Sequence, residues 1–270
     1  MKRIFGSTPL EREQQRLIAE ERRYMEKRRN EKESRLNALL EDKVPDKLQE
    51  TLDSAFGTAF SLIFQKGTGV IEKTYNKERI EEECRDEHRR ILHRQDRRSL
   101  RNVTEKAGFS GLKNMVISGA AGIGMGAVGA GLPDIPVFTA MILKSIYEIA
   151  LRYGFDYESE EEKYFILLLI QGAVADWEEL QQVEREVNAF IDSELLPLYY
   201  SREGQIRAAA AGLSKEMLYM KFLQGTMVIG VIGGVYDVIY MKKITEYAEL
   251  KYRRRFYNKM VKKENKKQPL

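Results

Sequence analysis

The sequence predicts an all-α fold: a helical bundle with two central glycine-rich helices. Three observations predict it. Apolar residues recur three and four apart in several long stretches, which gathers them on one face of a helix. No stretch alternates apolar and polar residues, and no βαβ rhythm is present. Two glycine-rich apolar stretches, Ser118–Pro136 and Gly225–Asp237, interrupt a chain in which 32% of the residues are charged.

Leu10–Lys43 is almost entirely Glu, Arg, Lys and Gln, with Leu17, Ile18, Met25, Leu36, Leu39 and Leu40 as its sparse apolar residues. It reads as a solvated helical arm with weak heptad character. Pro45 precedes a strong amphipathic helix, whose stripe is Leu48, Leu52, Ala55, Phe56, Ala59, Phe60 and Ile63. Gly67 and Gly69 interrupt it. Asn76–Arg101 is again charged, with a thin apolar side of Ile80, Cys84, Ile91 and Leu92.

The first glycine stretch ends at Leu132-Pro133-Asp134-Ile135-Pro136, where two prolines force a break. A helix then runs to Tyr153, with Ile135, Phe138, Ile142, Ile146 and Ile149 in register, and Gly154 stops it. Ser159-Glu160-Glu161-Glu162 is a capping box for the next helix. Phe165–Ile170 is apolar all round, so that helix is expected at the centre. Asp176–Leu195 is amphipathic through Leu180, Val183, Val187, Phe190 and Ile191, and Pro197 ends it. Gly204–Leu223 leads into the second glycine stretch. Beyond Met241 the apolar pattern fades into Lys251–Lys267, a basic run with Tyr252, Phe256 and Tyr257 interleaved.

Small residues four apart, as in Gly122/Gly126 and Gly230/Gly234, make a flat stripe that another backbone can approach closely. Each glycine costs about 1 kcal/mol in a helix interior, so close packing, a ligand or a membrane is expected there. Met115–Leu132 carries no charge and Phe222–Met241 only Asp237; both are long enough to span a bilayer. Their flanking lysines lie on both sides and give no orientation. A buried core and a membrane-inserted pair both remain open.

The net charge of +4 is modest, and a nucleic-acid partner is not expected. One cysteine, Cys84, rules out an internal disulfide. The first residues, MKRIFGSTPLEREQQ, lack the apolar core of a signal peptide. The expected location is the cytoplasm, at the inner face of the cell membrane.

Chemical motifs are few. Gly124–Gly129 is a literal GxGxxG, and Tyr247-x-x-x-Lys251 imitates a dehydrogenase pair. Neither sits in the strand–turn–helix context that dinucleotide binding needs. No cofactor is expected. Cys84 and His88 share a helix face, but EEECRDEHRR reads as a solvated charge run, and no metal is expected. Asp134 and Asp237 are the acids of interest. Asp134 fits an N-cap for the helix that follows. Alternatively, the two face one polar pocket and bind a cation or do acid–base work, as in a hydrolase. The basic aromatic run Arg253, Arg254, Arg255, Phe256 and Tyr257 is a candidate contact for anionic lipid.

The ordered landmarks SGAAGIGMGAVGAGLPDIP, Tyr153-Gly154-Phe155-Asp156 and the capped acidic helix start resemble the EcsC family. So do GTMVIGVIGGVYD, Tyr252-Arg253-Arg254-Arg255-Phe256, and the Asp42–Tyr75 stretch with Pro45 and AFGTAF. The resemblance covers about residues 40–258, as expected of one domain. The organisation read from the sequence is therefore an arm over 1–43, a helical domain over 44–258 and a basic tail over 259–270. The resemblance implies an all-helical domain. The family takes its name from a gene beside the subunits of an ABC transporter linked to secretion, so lipid surface or transporter subunits are the implied partners. It supplies no catalytic residue set. Gly122, Gly126, Pro133, Asp134, Gly154, Asp156, Gly230 and Gly234 match as structural landmarks. Three functions follow as expectations: a non-catalytic, membrane-apposed accessory protein; an enzyme with an Asp134/Asp237 pocket; or a helical adaptor that uses residues 10–43.

Overall fold

The computed structural model describes residues 8–30, 46–66, 69–73, 75–94, 100–101, 103, 134–223 and 235–266. The fold is all-α, and the described residues contain no strand. The helices are α1 (Pro9–Asn30), α2 (Asp46–Lys66), α3 (Gly69–Glu72), α4 (Lys77–Arg94), α5 (Asp134–Arg152), α6 (Glu160–Val174), α7 (Trp177–Ser193), α8 (Arg202–Leu223) and α9 (Val235–Lys266). No described helix is long and apolar enough to cross a membrane. The glycine stretches 118–133 and 224–234, with Gly122, Gly126, Pro133, Gly230 and Gly234, lie outside the described residues.

Helix α6 sits at the centre, as its all-round apolar surface demands: α7, α8 and α9 all pack on it. Phe165 to Ile170 are buried without exception. A second layer forms around α5, which touches α2, α4 and α9. The stripes read from the sequence supply these contacts: Leu52, Phe56, Ala59, Phe60 and Ile63 of α2 are buried, as are Ile135, Phe138, Ile142, Ile146 and Ile149 of α5. Burying each such side chain contributes about 1.5–3 kcal/mol.

The helix ends follow local chemistry. Gly154 has φ of 76°. Its N–H donates to the Leu151 carbonyl at 2.9 Å, and the Phe155 N–H to the Ala150 carbonyl at 2.9 Å. That pair of bonds is a Schellman stop for α5, and only glycine enters the left-handed region without strain. Ser159 caps α6 by accepting from the Glu162 N–H at 3.2 Å. The reciprocal half of the expected box is absent, because the Glu162 carboxylate turns into the core instead. It accepts from the Tyr252 hydroxyl at 2.6 Å and from Arg255 at 2.6 Å.

Helix α1 is docked rather than projecting as an arm. Its Thr8-Pro9-Leu10-Glu11 start is a full capping box: the Thr8 N–H donates to Glu11 at 2.7 Å, and the Glu11 N–H to the Thr8 hydroxyl at 3.1 Å. Along α9 it is held by charge, with Glu21 bound to Lys251 at 2.9 Å and Glu20 to Arg253 at 2.7 Å. At its far end Arg28 donates to the Ala173 carbonyl at 2.6 Å and also to that of Ala175. Those are carbonyls at the C-terminal end of α6, which a buried helix end must satisfy.

Candidate functional site

The most exposed large apolar side chains of the described residues gather in one loop. Helix α7 ends when Glu194 adopts φ of 57° and returns its N–H to the Phe190 carbonyl at 2.7 Å. The chain then crosses to α8 with Leu195 70%, Leu198 98% and Tyr199 97% exposed. Clustered large apolar side chains in water mark a contact surface more often than scattered ones do. The loop is anchored at its far end. The Tyr200 N–H donates to the Pro197 carbonyl at 3.0 Å, and the Tyr200 hydroxyl to Glu160 at 2.6 Å. Glu160 in turn is forked by Arg202, whose bonds hold its carboxyl below the usual range. The Ser201 hydroxyl accepts the Gly204 N–H at 3.2 Å and starts α8.

Behind this loop lies an open cleft of about 710 Å³ between α7 and α8. Its wall includes Tyr164, Phe190, Leu196, Tyr199 and Tyr200, and its one charged side chain among the described residues is Glu186. Tyr164 meets Phe190 edge-on at 5.7 Å and Tyr200 edge-on at 5.3 Å, so these rings brace one another.

The last turns of α9 reach the base of the loop. Lys262 donates to the Asp192 carbonyl at 2.9 Å, and Asn258 donates to the Asp192 carboxylate at 3.4 Å. Lys262 is exposed there, while Lys259, one turn earlier and also exposed, lies 5.0 Å from the Phe155 ring centre.

The basic aromatic run expected to touch lipid lies one to two turns earlier and faces inward. Arg253, Arg255, Phe256 and Tyr257 are buried. Arg255 pairs with Glu162 at 2.6 Å and Glu194 at 3.0 Å, and its guanidinium lies 4.1 Å from the Phe155 ring centre. Arg254 is half-buried on Glu21 at 3.2 Å. A lipid surface does not reach Arg253, Arg255, Phe256 or Tyr257 so placed, which corrects the assignment at those positions. The physical reason is that each arginine finds a carboxylate from a distant helix, which offsets its desolvation.

Asp134 is the first residue of α5, and Asp237 lies in the first turn of α9. Their side chains fall outside the described residues. Asp156 accepts the Glu158 N–H at 3.1 Å and serves the turn into α6. Tyr247 and Lys251, the dehydrogenase-like pair, both bind Glu184, at 2.7 and 2.5 Å. Their contacts are those of a buried structural triad.

Cys84 lies 3.6 Å from His88 Nε2, but its thiol points to the Arg152 carbonyl at 3.4 Å. Burial pushes the thiol up to about 11, and burial with Lys263 and Lys259 pushes the imidazole down. The pair is neutral, the opposite of an activated thiolate. No group of three metal-ligating side chains occurs among the described residues. A tyrosine chain that sequence reasoning missed joins α3, α4 and the α5–α6 turn. Tyr75 donates to Tyr157 at 2.7 Å, Tyr157 to Glu72 at 2.5 Å, and Lys77 binds Glu72 at 3.3 Å and Glu158 at 2.8 Å. Burial raises both phenols, so they stay protonated donors.

The family model described as the EcsC protein family matches residues 12–256, and the chain belongs to that family. The match begins within α1, earlier than the landmark motifs do. No curated protein and no solved structure matches the chain.

Proposed function

We propose that this EcsC family member is a non-catalytic accessory protein that works at the face of a membrane, by contact with lipid or with ABC transporter subunits. One observation carries the reading: the exposed Leu195, Leu198 and Tyr199 tip rises from a helix end that exposed Lys262 of α9 touches at Asp192. An apolar tip that enters the headgroup region, flanked by lysines that meet anionic phosphate, is the chemistry of a peripheral membrane contact. Each lysine near such a surface contributes about 1 kcal/mol, and each leucine taken out of water about 1.5–3 kcal/mol. The two contributions differ in salt dependence, since only the first is screened. The neutral Cys84–His88 pair favours binding over thiol chemistry. The transporter counterpart rests on family membership alone.

The test is co-sedimentation of the full chain with vesicles of phosphatidylglycerol and phosphatidylcholine. Binding should fall at least about tenfold in Leu198→Asp/Tyr199→Asp, because two inserted side chains become anions. Equal binding by the double variant and the wild type would sink the proposal, and so would a wild type that stays in the supernatant. Both positions are almost fully exposed, so the fold should tolerate the change.

A further inference from the structure

The cleft behind the loop carries a second, more specific reading. Its volume of about 710 Å³ lies within the range of about 300–1,000 Å³ typical of small-molecule sites. Its wall is mostly aromatic and aliphatic, with Ser193, Ser201 and Gln205, and among the described residues the only charged side chain in it is the carboxylate of Glu186. Glu186 accepts a long bond from Gln182 at 3.3 Å and has no lysine or arginine paired with it among the described residues. An anionic ligand would meet repulsion here. A cation would meet the Glu186 carboxylate and the rings of Tyr164, Tyr199 and Tyr200, and aromatic rings attract cations within about 6 Å of their centres.

We infer that this cleft binds an alkylated ammonium group, with Glu186 as counter-ion and Tyr164, Tyr199 and Tyr200 as its aromatic walls. Alkylated ammonium suits this lining better than a bare ammonium. Its methyl groups give up little hydration against Phe190 and Leu196, while its charge still polarises the rings. The walls are pre-set on one side. Tyr200 is fixed through Glu160, and Tyr164 is braced by Phe190 and Tyr200. Tyr199, 97% exposed, is the wall free to close over a bound group. The same chemistry comes from two sources, a phosphatidylcholine headgroup and a soluble quaternary amine.

The experiment is calorimetric titration of the full chain with choline and, separately, with the neutral carbon isostere of choline. Choline should bind at least about tenfold more tightly than the isostere. Glu186→Gln should lose about tenfold in choline affinity, and Tyr199→Ala should weaken it in the same direction. A second arm compares the wild type with Glu186→Gln on vesicles of phosphatidylcholine alone and of phosphatidylglycerol alone. Choline binding in solution assigns the site to a soluble amine. Glu186-dependent retention on phosphatidylcholine vesicles, without choline binding in solution, assigns it to the lipid headgroup. Either result supports the inference. Binding that ignores Glu186→Gln in both arms overturns it, as does equal binding of choline and its isostere. The solution arm uses no membrane, so its outcome is independent of whether the loop docks on lipid.

Discussion

Replacing Lys251 by Met tests the ion triad that joins three helices. The Lys251 ammonium lies 2.9 Å from Glu21 and 2.5 Å from Glu184, with its side chain 2% exposed. Met keeps the length of the stem and removes only the charge. Breaking a buried pair by deleting one partner costs about 3–5 kcal/mol. Glu21 keeps Arg254 at 3.2 Å, so the uncompensated group is mainly Glu184, which retains the Tyr247 hydroxyl at 2.7 Å. The expected loss is therefore near the lower limit, about 3 kcal/mol. Burial pushes the Glu184 carboxyl up, but the Lys251 charge and the bonds from Lys251, Tyr247 and Asn188 outweigh it and leave the group below its usual 4.5. A depressed acid contributes stability that is present above its unfolded pKa and lost as pH falls through its folded one. Without Lys251 that contribution disappears and burial is left to raise Glu184, so the carboxyl takes a proton at a higher pH than in the wild type and the deficit shrinks as pH falls. The assay is urea unfolding followed by far-UV circular dichroism near neutral pH and near pH 4. Lys251→Met/Glu184→Gln should recover a large part of the loss. A cost under about 1 kcal/mol near neutral pH would refute the reasoning, as would the same cost at both pH values.

Gly154→Ala should lower stability by about 2–4 kcal/mol in a thermal melt. The backbone there has φ of 76°, and an added Cβ would stand 2.5 Å from His88 Cε1. An unchanged melt would contradict it, and truncating His88 as well should return part of the loss. Tyr147→Phe should be neutral or stabilising by about 1 kcal/mol, because the Tyr147 hydroxyl is buried with no hydrogen-bond partner among the described residues. A loss above that size in urea unfolding would reveal a bond the geometry lacks. Burial, with Glu20 and Glu246 against Arg253, pushes Glu249 up to about 7. A raised acid leaves the protein unaffected below about pH 4.5 and destabilises it progressively up to about pH 7. Glu249→Gln should therefore stabilise the protein by about 2–3 kcal/mol above pH 7 and leave it unchanged near pH 4, measured by denaturation across pH.

Much of the fold was legible because its helices carry apolar stripes. Phe56 and Phe60, Ile142 and Ile146, and Val183 and Val187 each announce a buried face by spacing alone. Gly154 and Ser159 announced their helix ends for reasons of backbone geometry and hydrogen bonding. What escaped notice is held by charge. The face that α1 turns to α9 presents Glu20 and Glu21, and charged residues in a helix normally mean solvent. The signal that was there to be read is the Thr8-Pro9-Leu10-Glu11 start, a capping box with proline at the first helical position. Arg255 looked like part of a basic surface because its partner, Glu162, is 93 positions away. Pairings at that distance leave no local trace. The exposed loop was legible only as the stop at Pro197; Leu195, Leu198 and Tyr199 read as apolar residues with no periodicity. Asp134 is the first residue of α5 and Asp237 lies in the first turn of α9, and their side chains lie outside the described residues.

The most direct measurement of membrane contact places a fluorophore at the loop tip. Trp177 is the single tryptophan, so Trp177→Phe/Tyr199→Trp reports from the tip alone. Vesicles that contain anionic lipid, some of it brominated along the acyl chain, should shift the emission to the blue and quench it. The same vesicles should leave the wild-type Trp177 signal little changed. Emission from position 199 that stays red and unquenched, while the protein is bound to the vesicles, would contradict docking through this loop.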